Sequence, residues 1–142
     1  MKRLYLDSNV FISLVNRELD SNLRPLFIEA EQFIEKAKEL NCTIVLSDHT
    51  LEEIQKISFN SKNDVIELFE KKQIKIEFIN KEKQDIEKVK FFCRRGVHRS
   101  DAWHIALAIK AKCDCIVTFN KKDFEITQDL ILAEEPLLLF LK

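Results

Sequence analysis

Leu4-Tyr5-Leu6-Asp7 and, far downstream, Cys115-Ile116-Val117-Thr118-Phe119-Asn120 decide how this chain is read. Each is a short apolar run rich in β-formers that stops against a polar residue, and Asp123 follows the second run closely. Both runs have the length and composition of buried strands. In an open parallel sheet, ligands bind where strands end at their carboxyl side. Acidic residues therefore fall where such a fold keeps its site.

The stretches between alternate in period. Residues 10–17 suggest a short helix. Residues 23–40 carry Leu26, Phe27, Ala30, Phe33, Ile34, Ala37 and Leu40 at helical spacing, with Pro25 suited to a first turn. Thr43 to Leu46 is a continuous apolar strand, and Ser47, Asp48 or Thr50 can cap a helix running to Ser58. Asn60 or Ser61 can start another helix, with Val65, Ile66, Leu68 and Phe69 inward. Ile74, Ile76 and Phe78 alternate with Lys75 and Glu77, the period of a half-exposed edge strand. A helix over 81–95 ends at Gly96. Ser100 is placed to cap the next helix, whose apolar face is Ala102, Ile105, Ala106 and Ile109. Residues 115–119 form strand four, 121–129 connect, and 131–133 form a fifth strand. Alternating strands and helices predict an α/β domain with a largely parallel sheet, the runs 43–46 and 115–119 lying centrally.

Bulk properties narrow the function. The chain has 142 residues and is read as one domain over 1–142. Its net charge of −1 gives no global attraction for a polyanion, so any nucleic-acid contact must use local basic patches. No apolar run is long enough to span a membrane, and the N-terminus lacks the pattern of a signal peptide, which predicts a cytoplasmic protein. Cys42, Cys93, Cys113 and Cys115 form no C-x-x-C pair and are expected as reduced thiols.

Four acidic positions carry the chemistry. Asp7 follows the first strand, Glu53 lies about one turn into the helix after the second, Asp101 opens the helix before the fourth, and Asp123 lies just beyond it. Each has an ordinary explanation alone, such as capping or solvation. Together they form a hard oxygen donor set suited to Mg²⁺ or Mn²⁺. Asn9, with Ser8, is placed to support Asp7; Thr118 and Asn120 are placed to orient a carboxylate or phosphate. Arg94, Arg95 and Arg99, with His98, form a basic cluster just before Asp101, and Lys121 and Lys122 form a second beside Asp123. His49, His98 and His104 are not needed as bases if a metal activates water.

These segments resemble a known family. Leu6-Asp7-Ser8-Asn9-Val10-Phe11-Ile12 is similar to the opening signature of PIN-domain ribonucleases, specifically the VapC-like toxins. Ser47 through Ile54, with Glu53 six positions after the serine, resembles their second motif; Glu52 is the alternative acid. Asp101-Ala102-Trp103-His104-Ile105-Ala106-Leu107-Ala108 and Ile116-Val117-Thr118-Phe119-Asn120-Lys121-Lys122-Asp123-Phe124 resemble the third and fourth. Many members carry an acid where Asn120 stands, so the fourth position falls to Asp123 or Asn120. The resemblance implies a PIN-like three-layer domain with a five-stranded sheet in order 3-2-1-4-5. It also implies a Mg²⁺- or Mn²⁺-dependent RNA endonuclease leaving 5′-phosphate and 3′-hydroxyl ends, catalysed by Asp7, Glu53, Asp101 and Asp123. The expected setting is a homodimeric toxin restrained by a small antitoxin protein. The alternatives are a housekeeping RNA-processing nuclease and a degenerate module that binds RNA or protein without cutting.

Overall fold

The computed structural model describes residues 2–141; the expected domain limits at Met1 and Lys142 lie outside the described residues. Five strands, β1 (Arg3–Leu6), β2 (Thr43–Ser47), β3 (Lys75–Ile79), β4 (Cys115–Val117) and β5 (Leu132–Glu134), form one sheet in order β3-β2-β1-β4-β5. Every pairing is parallel. This is the expected order. β1 lies centrally, with Tyr5 opposite Val45 on one side and Ile116 on the other. The chain moves outward from β1 to β2 and β3, then returns to β4 on the opposite side. The reversal point between β1 and β4 is where a parallel sheet opens a crevice at its carboxyl edge.

Six α-helices cover the two faces: α1 (Ser8–Asn16), α2 (Leu26–Glu39), α3 (Asp48–Ser58), α4 (Lys62–Lys71), α5 (Ile86–Arg94) and α6 (Arg99–Lys110). The alternation of side chains along each strand divides the core in two. Leu4, Leu6, Ile44 and Leu46 pack with Phe11, Phe33, Ile54 and Phe69. Tyr5, Val45 and Ile116 point the other way, against Val89, Phe92, Ile105 and Leu107 of α5 and α6. Each fully buried side chain of this size contributes roughly 1.5–3 kcal/mol of burial energy. Apolar demand on both faces is why β2 reads as a continuous hydrophobic run.

Several boundaries differ from the sequence expectation, each for a local reason. α2 starts at Leu26, with Pro25 at its N-cap; the preceding loop is tied by Asp20, which accepts from the backbones of Asn22 and Arg24 at 2.8 and 2.9 Å. The helix expected over 81–95 is a 3₁₀ turn (Lys83–Asp85) followed by α5. Asp48 captures the Lys81 N–H at 3.0 Å and Asp85 the Glu82 N–H at 2.8 Å, which delays the helix. Phe78 does not turn inward; it is 40% exposed and lies against Lys62 on the poorly covered edge strand. β4 stops at Val117 because side chains replace its ladder: the Phe119 N–H donates to Asn9 Oδ1 and the Asn120 N–H to Thr118 Oγ1. β5 begins one residue later than expected and ends on Glu134. The connection after Asn120 is a 3₁₀ helix (Lys121–Thr127).

Gly96 follows α5 at φ +100°, with the Ile126 side chain the nearest neighbour to an added Cβ at 3.6 Å. Space is therefore not the constraint there; backbone conformation is. Gly96→Ala is expected to lower stability by roughly 1 kcal/mol or more. Urea denaturation checks this, and an unchanged midpoint would show that the loop relaxes to negative φ.

Candidate active site at the carboxyl edge of the sheet

Asp7 occupies the N-cap position of α1, yet its side chain makes no capping bond. It is only 6% exposed. Its Oδ2 accepts from Thr118 Oγ1 at 2.8 Å. Thr118 Oγ1 in turn accepts from Asn9 Nδ2 at 3.2 Å and from the Asn120 N–H at 3.0 Å. The Asp7 N–H donates to Val117 O at 3.0 Å. The β1 and β4 ends are thus stitched together around one carboxylate, Thr118 bonding it directly and Asn9 reaching it only through Thr118. The Asn120 side chain is exposed, and only its backbone enters this network.

Glu53 arrives from α3. Its Oε1 accepts from His104 Nε2 at 2.6 Å and from Ser8 Oγ at 3.0 Å, while Oε2 accepts from Ser100 Oγ at 2.8 Å. Glu52, the alternative acid, points instead to Lys81 at the surface, 2.7 Å away. Ser100 does not cap α6, which His98 caps; it lies inside the first turn, and its hydroxyl serves Glu53.

Sequence reasoning gave His104 little weight, yet the structure sets it between the acids. It is buried, with Nε2 at 3.5 Å from Asp7 Oδ1 as well as against Glu53. Its Nδ1 lies 2.7 Å from the Tyr5 hydroxyl, which lies 2.6 Å from Ser47 Oγ. The signal was present: His104 stands three residues after Asp101 on one helix, and Ser47, Thr50 and Glu53 repeat at helical spacing. What periodicity lacked was which helix α6 faces.

The electrostatics follow from this packing. Burial pushes the Glu53 carboxyl up, but the His104 bond and charge, with Ser100, outweigh it and hold Glu53 down at about 2. For His104, burial disfavours the charge, but the Glu53 bond and the charges of Asp7, Glu53 and Asp101 raise it above the ordinary imidazole value. His49 falls to about 4 through burial and the neighbouring His104 charge. Asp101 behaves oppositely to Glu53. Burial, then the charges of Asp7 and Asp123, lift it to about 6. The coupling brings Asp101, Asp7 and Asp123 into one electrostatic group, although Asp123 is exposed. This donor set fits a hard divalent cation: several oxygens repel one another, and a cation relieves the repulsion.

The basic residues divide. Arg95 donates to Ile126 O at 2.8 Å and pairs with Asp129 at 3.1 Å; Lys121 pairs with buried Glu134 at 3.2 Å. Both already have structural work. Arg94, Arg99 and Lys122 are exposed.

The Asp101 shift gives a signed test. A carboxyl whose folded pKa lies above its unfolded value contributes stability that is present below about pH 4 and is lost as pH rises through about 6. Asp101→Asn removes this loss. In EDTA, the variant is expected to be more stable than wild type at pH 7.5, the advantage vanishing near pH 4. Melting curves across pH check it; equal melting temperatures at pH 7.5 would show that Asp101 carries no such strain.

A family model described as PIN domain matches residues 3–122. Among solved structures, VapBC-1 from nontypeable Haemophilus influenzae superposes with a TM-score of 0.63 at 18% identity, covering 95% of this chain and 98% of that chain. VapBC2 from Rickettsia felis, bound to a DNA fragment from its promoter, gives 0.61 at 19% identity, covering 94% and 98%. A toxin–antitoxin complex from Klebsiella pneumoniae gives 0.61 at 20% identity, covering 94% and 97%. No curated protein matches by sequence. At these identities the structural likeness speaks for the fold, whereas the family model spans most of the chain. With the strand order β3-β2-β1-β4-β5 and acids at its carboxyl edge, this chain belongs to the PIN domain family.

Proposed function

We propose that this chain is a metal-dependent endoribonuclease and the toxin of a toxin–antitoxin pair. What supports the proposal is that Asp7, clamped by Thr118, shares His104 Nε2 with Glu53, and that the charges of Asp7 and Asp123 act on Asp101. PIN-family membership and similarity to three toxin–antitoxin structures support it. The reading also takes the protein as cytoplasmic, homodimeric and restrained by a small antitoxin. It agrees with the lack of any helix long and apolar enough to cross a membrane among the described residues.

In this reading Asp7, Glu53, Asp101 and Asp123 hold Mg²⁺ or Mn²⁺. When bound, the ion activates water and offsets charge on the scissile phosphate. The protein's own contribution is orientation. Thr118 and Asn9 fix the Asp7 carboxylate, and Ser8, Ser100 and His104 fix Glu53. A cation would relieve Asp101, whose charge is opposed by burial and then by Asp7 and Asp123. Arg94, Arg99 and Lys122 are exposed to take the RNA backbone, a sequence-independent contact. Arg95 and Lys121, held by Asp129 and Glu134, are secondary candidates.

Purified protein is expected to cleave mixed RNA with Mg²⁺ or Mn²⁺ and not with EDTA. Asp7→Asn is expected to lower cleavage at least about 100-fold while leaving the circular dichroism spectrum unchanged, since a fixed ligand charge is lost from a near-isosteric side chain. Wild-type rates in a folded Asp7→Asn protein would remove Asp7 from the chemistry. A folded wild type that binds RNA but never cuts it would mark a degenerate binding module.

A further inference from the structure

Among the described residues, the only buried side-chain nitrogen or oxygen without a hydrogen-bond partner is Nδ1 of His49. His49 and Glu53 are four apart on α3 and so share a helix face. The His49 ring meets the His104 ring edge-on, with centroids 4.6 Å apart. One nitrogen from each ring and one Glu53 oxygen all lie within 4.8 Å of one another.

Each imidazole is anchored through one nitrogen. His49 Nε2 lies 3.1 Å from Ser100 O, which only accepts, and 3.0 Å from Ser100 Oγ, whose proton goes to Glu53, so this nitrogen carries the proton. That leaves Nδ1 with a buried lone pair and nothing to receive. His104 Nδ1 is held by the Tyr5 hydroxyl at 2.7 Å, leaving Nε2 turned to Glu53. Imidazoles that bind metals are held in this way, with the second nitrogen bonded to a carbonyl or another polar partner.

We propose that His49, Glu53 and His104 form a second, chemically distinct cation site, selective for a borderline transition ion of the Zn²⁺ class. Two imidazoles and one carboxylate are a donor set that suits such ions and not Mg²⁺. Tetrahedral ligation at about 2.0–2.2 Å places ligand atoms about 3.3 Å apart, so His104 Nε2 and Glu53 Oε1, now 2.6 Å apart, must separate while the His49 ring closes in. Binding would displace the proton that lies between His104 Nε2 and Glu53 Oε1, and that proton would leave to solvent. Three protein ligands leave a fourth position open to water. The site shares Glu53 with the carboxylate site proposed above, but its existence requires no nuclease activity.

The test is calorimetric titration of the metal-stripped full chain with Zn²⁺, beside His49→Gln, with a Mg²⁺ thermal shift run on both proteins. One Zn²⁺ per chain is expected, bound at least about tenfold more weakly by His49→Gln. The Mg²⁺ shift is expected to be the same in both, which separates this site from the carboxylate site. Zn²⁺ affinity unchanged by His49→Gln would overturn the proposal. If the variant does not fold, imidazole ¹⁵N resonances of the wild type decide. Zn²⁺ is expected to move those of His49 and His104, and movement confined to His98 would equally overturn it.

Discussion

The hydrogen bond from His104 Nε2 to Glu53 Oε1, at 2.6 Å, is the contact on which the candidate site depends. It joins α3 to α6 across the edge of the sheet, and it sets half-buried Glu53 beside a buried acid, Asp7, and a buried imidazole. A charge taken from water costs several kcal/mol unless paired and hydrogen-bonded. Here His104 answers Glu53 directly and lies 3.5 Å from Asp7, while Tyr5, Ser47 and Thr50 complete a buried polar chain behind it. Such a pair is weak grounds for a gain in stability, since an apolar replacement often does as well. Its consequence is geometric: Glu53 is held in one place.

The contrast between Glu53 and Asp101 gives the site its character. Glu53 is held down because its bond to His104 outweighs burial; Asp101 is pushed up by burial and then by like charges. Asp101 therefore carries the unmet electrostatic demand, created by burial and then by Asp7 and Asp123. Perturbed carboxyls at a sheet's carboxyl edge are the pattern expected of a functional site and not of a surface ion pair.

Much of this was legible in the sequence because it depends on short-range rules. The continuous apolar runs of β1 and β2 and the helical spacing of α2 follow from composition, and strand order follows from resemblance to a known family. Asp7 and Asp101 stood out because one follows a strand and the other opens a helix. The rest depends on tertiary neighbours. That Phe78 faces out reflects how little covers the edge strand. That Ser100 serves Glu53 and not its own helix depends on α3 lying opposite α6. The engagement of Arg95 and Lys121 by Asp129 and Glu134 likewise depends on how the 3₁₀ segment folds back. Local pattern locates a charged residue; only packing says which partner claims it.

The central claim is that the carboxylates around Asp7 are a cation site created by the sheet reversal. Anomalous diffraction from crystals soaked in Mn²⁺ tests it most directly. The account predicts a manganese peak within about 2.0–2.6 Å of carboxylate oxygens of Asp7 and Asp101. Well-ordered crystals with no manganese at that edge, or with manganese only on carboxylates remote from Asp7, would contradict it.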